Sequence, residues 1–190
     1  MTFHETTSLL RSVISSLRTG TTKIRPNHLD RYDFLRAQLT TVNVATSVAF
    51  QKTYSGLYQL RYIPGAHRTP YFELMEANKN LPDPSFHTLL NQHNIATGRW
   101  EISFISKLVA IIDPNQPVWD SIVRRRLQLT LPIRRTLLNC TAAYEELVNG
   151  MNAVLEHPLF QNLLAAFNRR FGDRNYHSMR ILDVSIWGLG

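Results

Sequence analysis

The sequence predicts an all-helical chain of 190 residues. Apolar residues recur at helical spacing through most of its length, Gly and Pro punctuate that pattern, and no segment reads confidently as a sheet strand. With 44% hydrophobic and 18% charged residues, the chain can bury a sizeable core and is not a disordered polymer. No repeat, low-complexity tract or linker interrupts it, so a single helical domain over 1–190 is expected, in two lobes with a cleft between them.

Each element has a local reason. Leu9, Leu10, Val13, Ile14 and Leu17 form the stripe of an amphipathic helix that Thr19-Gly20 should stop. A second helix is predicted over Leu29 to Thr40. Val44 to Tyr62 reads as a third, despite the cost of an internal Gly56, and Pro64-Gly65 should end it. Tyr71 to Ala77 and Ser85 to His93 are predicted short helices on either side of the turn-forming NLPDP at 80 to 84. Trp100 to Ile112 and Asp120 to Leu129 follow, separated by IDPNQP. Tyr144, Leu147, Val148, Met151 and Leu155 share the next apolar face, and Pro158 is placed as a first-turn residue of a helix running to Phe171. The terminal ILDVSIWGLG fits a short helix or a strand equally.

Several function classes find no support. No run of about 18 apolar residues exists, and the N-terminus lacks the layout of a secretory signal, so a soluble cytoplasmic protein is expected. The single cysteine, Cys140, has no partner for a disulfide or a zinc cluster and is expected to be a buried thiol. His87 and His93 are off the spacing of a helical metal pair, so no metal site is expected. A phosphate-binding glycine loop, a nucleophile elbow and a Cys/His nucleophile pattern are all missing. No cofactor is implied.

Charge is more informative. Lys and Arg total 21 against 14 acids, a net charge of +7, and 17 of the 21 cations are Arg. Guanidinium groups match phosphate geometry and stack on bases, so the bias suits nucleic acid, although a basic surface without a polyanion partner fits the composition too. Residues 97–135 concentrate it: Arg99, Lys107, Arg124, Arg125, Arg126, Arg134 and Arg135 face only Glu101, Asp113 and Asp120. Arg99, Arg124 and Arg125 are the candidate DNA contacts. Within this stretch Pro117-Val118-Trp119 leads into Asp120, followed by Ser121-Ile122-Val123, which places Asp120 at or near a helix N-terminus where amides and dipole favour the anion. A simple N-cap explains the same residue.

The run PVWDSIVRRRL at 117 to 127 resembles the helix that carries the essential aspartate in the helix-hairpin-helix (HhH-GPD) DNA glycosylase superfamily. FQKTYSGLYQLR at 50 to 61, SFISKLVAIIDPNQPVWDS at 103 to 121 and the terminal LDVSIWGLG are similar to a group of small bacterial proteins described as having the fold of 8-oxoguanine DNA glycosylase. The resemblance implies a two-lobed glycosylase fold, double-stranded DNA as partner, and excision of a damaged or modified base. Modified bases of bacteriophage DNA are among the implied targets, which would make the protein an antiviral defence factor. A monomer is expected.

On that resemblance Asp120 is the catalytic carboxylate: breaking an N-glycosidic bond builds positive charge on the sugar, which a fixed anion stabilises. Lys107, on the preceding helix, is the second catalytic candidate, as an imine-forming amine or as a contact that positions Asp120 or a phosphate. The family's lysine aligns better with Ser103, so hydrolysis is expected rather than lyase action. A helix-surface lysine is the plainer reading of Lys107.

Gln51, Tyr54, Tyr58 and Arg61 fall within an arc of about 80° on a helix. They are the candidate base pocket, with Trp119 as a wall. An aromatic core stripe with polar ends is the competing reading, and Trp119 fits the core as well. Against the enzyme stand a catalytically silent DNA-binding module and a helical protein-interaction domain.

Overall fold

The computed structural model describes residues 2–60 and 65–190, with no side-chain description for 65–66. Among the described residues there are ten helices: α1 (Phe3–Thr19), α2 (Pro26–Leu39), α3 (Val48–Leu57), α4 (Gly65–Asn78), α5 (Phe86–Thr97), α6 (Ile102–Ile112), α7 (Ser121–Arg126), α8 (Leu137–Leu155), α9 (Phe160–Phe171) and α10 (Ser178–Trp187). Among the described residues there is no strand, and none of these helices is long and apolar enough to cross a membrane. The chain is all-α. It divides into two compact units, one made of Met1–Ile24, Pro114–Ile133 and Ala142–Gly190, the other of Arg25–Asp113 and Arg134–Thr141.

In the first unit α1 packs along α9, and α10 packs on α1, α7 and α9. Helix α1 begins with a capping box: the Thr2 hydroxyl accepts from the Glu5 amide while the Glu5 carboxylate accepts from the Thr2 amide. It ends at Gly20 in the left-handed conformation, as the sequence predicts. Leu10, Val13 and Leu17 of α1, Leu163 and Phe167 of α9, and Leu182 and Ile186 of α10 are buried. Within ILDVSIWGLG, residues 181–187 are helical and Gly188 is the C-cap. The preceding Ser178, Met179 and Arg180 complete a ten-residue element buried nearly all round. That enclosure hides the one-sided apolar pattern by which an amphipathic helix is recognised.

Gly188 closes α10 against the Thr22–Ile24 segment, where the Lys23 amide donates to the Gly188 carbonyl at 2.8 Å. A methyl group added at Gly188 would lie 2.5 Å from Thr22 Oγ1 and 2.7 Å from Ile24 Cγ1. Gly188→Ala is therefore expected to lower stability by about 1–3 kcal/mol through overpacking. The shift of the urea midpoint at unchanged slope measures it.

In the second unit α2 packs on α3 and α6, and α5 packs on α4 and α6. Helix α3 is shorter than the predicted 44–62. Ser47 caps it by accepting from the Phe50 amide, and Gln59, just past its end, has a left-handed φ of 53°. Helix α4 is longer than the predicted 71–77: it starts at Gly65 and runs through Pro70, forfeiting one backbone hydrogen bond. Pro158 stands before α9 rather than in its first turn, within a turn closed by the Phe160 amide on the His157 carbonyl. Cys140 is a buried thiol, and burial pushes its pKa up.

Candidate active site

Asp120 is the N-cap of α7. Its Oδ1 accepts from the Ile122 amide at 2.7 Å, and its second carboxylate oxygen has no hydrogen bond to a described residue. The residue is half-buried, whereas Val118 and Trp119 before it are buried. The approach is held by a tight turn in which the Asp120 amide donates to the Val118 carbonyl at 2.9 Å. Two further elements fix that turn: the Tyr144 hydroxyl of α8 donates to the Pro117 carbonyl at 3.0 Å, and Asp183 Oδ1 of α10 accepts from the Val118 amide at 3.4 Å.

Asp183 is the site residue that local spacing could not find, since it lies 63 positions from Asp120. It is 5% exposed and pairs with the Arg180 guanidinium at 3.1 Å. Burial raises its pKa and Arg180 lowers it, while the negative charge of Asp120 raises it further, for a net value of about 6. Asp183 is thus a buried carboxylate paired with Arg180, and it accepts from the amide two residues before Asp120. The only sequence hint was the terminal LDVSIWGLG, which contains Asp183.

The basic side chains near Asp120 are partly engaged. Arg124 donates to the Leu129 carbonyl at 2.9 Å, and exposed Arg125 donates to the Ser121 carbonyl at 3.2 Å. Trp119 is 3% exposed and belongs to the core of its unit.

The remaining candidates belong to the other unit. Lys107 is buried on α6 rather than displayed on its surface: it is 8% exposed, its Nζ donates to Ser103 Oγ at 3.0 Å and lies 5.7 Å from the Phe104 ring centroid. The reason is that α6 is apolar and buried on nearly every side. Arg99, exposed, follows the left-handed Gly98 in the α5–α6 turn, 3.7 Å from Glu101.

Gln51 and Tyr54 lie on α3 and Tyr58 is its C-cap, and all three have packing partners instead of an open face. The Gln51 amide donates to the Val44 and Ala45 carbonyls. Tyr54 is completely enclosed and Tyr58 nearly so, with ring contacts to one another and from Tyr54 to Phe50, Tyr71 and Phe72. Arg61 lies outside the described residues.

Comparison with family models, with curated proteins and with solved structures finds no match. The functional reading therefore rests on this chain's own chemistry.

The aromatic cluster of the second unit is a stability feature with a clear test. Tyr71 donates to the Phe104 carbonyl at 2.9 Å and its oxygen lies 2.8 Å from the Tyr54 hydroxyl; burial raises both phenol pKa values, so both stay neutral. His93 beside Tyr71 is pushed down to about 4 by burial and by His67. Tyr71→Phe leaves the enclosed Tyr54 hydroxyl without its partner. It is expected to cost about 1–3 kcal/mol in equilibrium unfolding.

Proposed function

We propose that this chain is a DNA glycosylase that flips a damaged or modified nucleotide out of double-stranded DNA and hydrolyses its N-glycosidic bond. The supporting observation is the Asp120 carboxylate: oriented by the Ile122 amide, half-exposed, with one oxygen uncommitted, on a turn that the buried Asp183 holds at the Val118 amide. In the reaction the C1′–N bond breaks and its electron pair leaves with the base. The cationic sugar is stabilised by the fixed negative charge. Water adds to C1′ and its proton passes to a carboxylate, leaving an abasic site.

Lys107 has no covalent role in this reading. The residue is buried and its amine donates to Ser103 Oγ, which supports hydrolysis over an imine pathway. Arg99 and Arg125, exposed on the surface, are proposed to contact DNA phosphates, with Arg124 alongside. The protein is proposed to act as a cytoplasmic monomer, on bases that include those modified in bacteriophage DNA, in antiviral defence.

A second reading, a catalytically silent DNA-binding module, is favoured by the same short bond, because capping α7 is a sufficient structural role for Asp120. The test is to incubate the protein with ordinary and modified duplexes and count abasic sites by alkaline cleavage. Strand breaks that appear without alkali would restore Lys107 to the chemistry. DNA binding without abasic sites on any duplex would select the silent module.

A further inference from the structure

Helices α1 and α9 run parallel: Phe3 and Thr7 lie against His157 at one end, and the Leu17 carbonyl accepts from Arg170 at the other. Between them is a cavity of about 340 Å³ lined by Arg11, Ile14, Ser15, Arg18, Thr19, Leu159 and Asn162. Its chemistry is one-sided. Two guanidiniums and three neutral polar side chains surround an apolar floor of Ile14 and Leu159, and no carboxylate is among the lining residues.

Arg11 and Arg18 are exposed, and among the described residues their side chains have neither a hydrogen bond nor an ion pair. The contrast with Arg124, Arg125 and Arg180 is direct, since each of those donates to a protein oxygen. Arg11 and Arg18 are seven residues apart, two helical turns or about 10 Å along α1, so both can face one extended anion but not one carboxylate. The cavity also meets the opening turn of α9, which holds no acidic residue and no side-chain cap. Its end of the helix dipole is positive.

We infer that the α1–α9 cleft binds phosphodiesters of a nucleic-acid strand, with Arg11 and Arg18 on successive phosphates and the Ile14–Leu159 floor under the intervening sugar. The inference rests on the proposal that the chain binds DNA, but not on its cleaving a base. The two backbone origins, about 10 Å apart along the helix, are too far apart to share one phosphate, and the long arginine side chains can converge on neighbouring phosphates of one strand. Guanidinium pairs with phosphate by two parallel hydrogen bonds, which makes each contact directional as well as charged.

The experiment measures binding of a short fluorescent oligonucleotide across a salt series, for the wild type, Arg11→Ala/Arg18→Ala and Arg11→Gln/Arg18→Gln. Inorganic phosphate and vesicles containing phosphatidylglycerol serve as the other anion probes. Both arginines are solvent-facing, so melting temperature is expected to stay unchanged. The expected result is an affinity lower by on the order of tenfold or more in both variants, with the salt slope reduced by about two. Wild-type binding that both variants retain in full overturns this inference alone. Absence of oligonucleotide binding by the wild type overturns the inference together with the DNA-binding proposal. Binding to vesicles in place of the oligonucleotide, lost in the variants, overturns it in favour of a lipid phosphate.

Discussion

Asp120→Asn is expected to reduce abasic-site formation by about 10²–10⁴-fold while leaving DNA affinity and folding unchanged. The asparagine amide oxygen can accept from the Ile122 amide as Asp120 Oδ1 does, and Asn is as good an N-cap as Asp. The substitution therefore removes the charge and keeps the cap. Asp120→Ala removes both, and is expected to add a loss of about 0.5–2 kcal/mol in stability. Alkaline cleavage of a substrate duplex measures the first effect, and thermal unfolding separates the second. Equal rates for Asp120→Asn and the wild type would leave Asp120 as a helix cap only.

The buried pair behind it has the largest expected effect on stability. Asp183 titrates at about 6 in the fold against an ordinary 3.8, so the folded state holds its proton more tightly than the unfolded chain does. The sign follows: stability contributed by this group is highest below about pH 4 and falls as pH rises toward 6, by about 3 kcal/mol across that interval. Asp183→Asn should remove that slope. The difference between the two pH profiles of denaturant unfolding isolates it from the other carboxylates.

Removing Arg180 acts in the same direction and more strongly. Arg180→Met takes away the guanidinium that offsets burial at Asp183, and breaking a buried pair from one side costs about 3–5 kcal/mol. With the counter-charge gone the Asp183 pKa rises further, so the loss is expected to be larger at pH 7.5 than at pH 5. The double variant Arg180→Met/Asp183→Leu is expected to recover part of the loss, because no lone buried charge remains, although the Val118 amide then lacks its acceptor. A double variant no more stable than Arg180→Met would show that the pair's worth lies in that amide.

Much of the helical architecture was readable because its causes are local. The apolar stripe of α1 with Gly20 behind it and Asp120 as the cap of α7 each follow from residues within one or two turns. The observed start of α3 at Val48 lies downstream of the predicted Val44, because the β-branched run extends the apolar pattern past the Ser47 cap. Helix α4 begins upstream of the predicted Tyr71 and runs through Pro70, a residue that local pattern disfavours inside a helix. Of the predicted arc, Gln51 and Tyr54 lie on α3, Tyr58 caps its end and Arg61 is outside the described residues. Periodicity states which residues share a face; it is silent on whether that face meets solvent or another helix.

The candidate site divides along the same line. Asp120 as a helix-terminal carboxylate followed from its neighbours, because capping and dipole effects act over a few ångströms along the chain. Asp183 behind it, the burial of Lys107 and Trp119, and the cleft along α1 and α9 came only with the folded molecule. Composition and local pattern alone determined an all-helical, arginine-rich chain with a carboxylate poised at a helix start. Tertiary structure decided which charges are desolvated and which stand free, since desolvation depends on neighbours distant in sequence that only packing brings together.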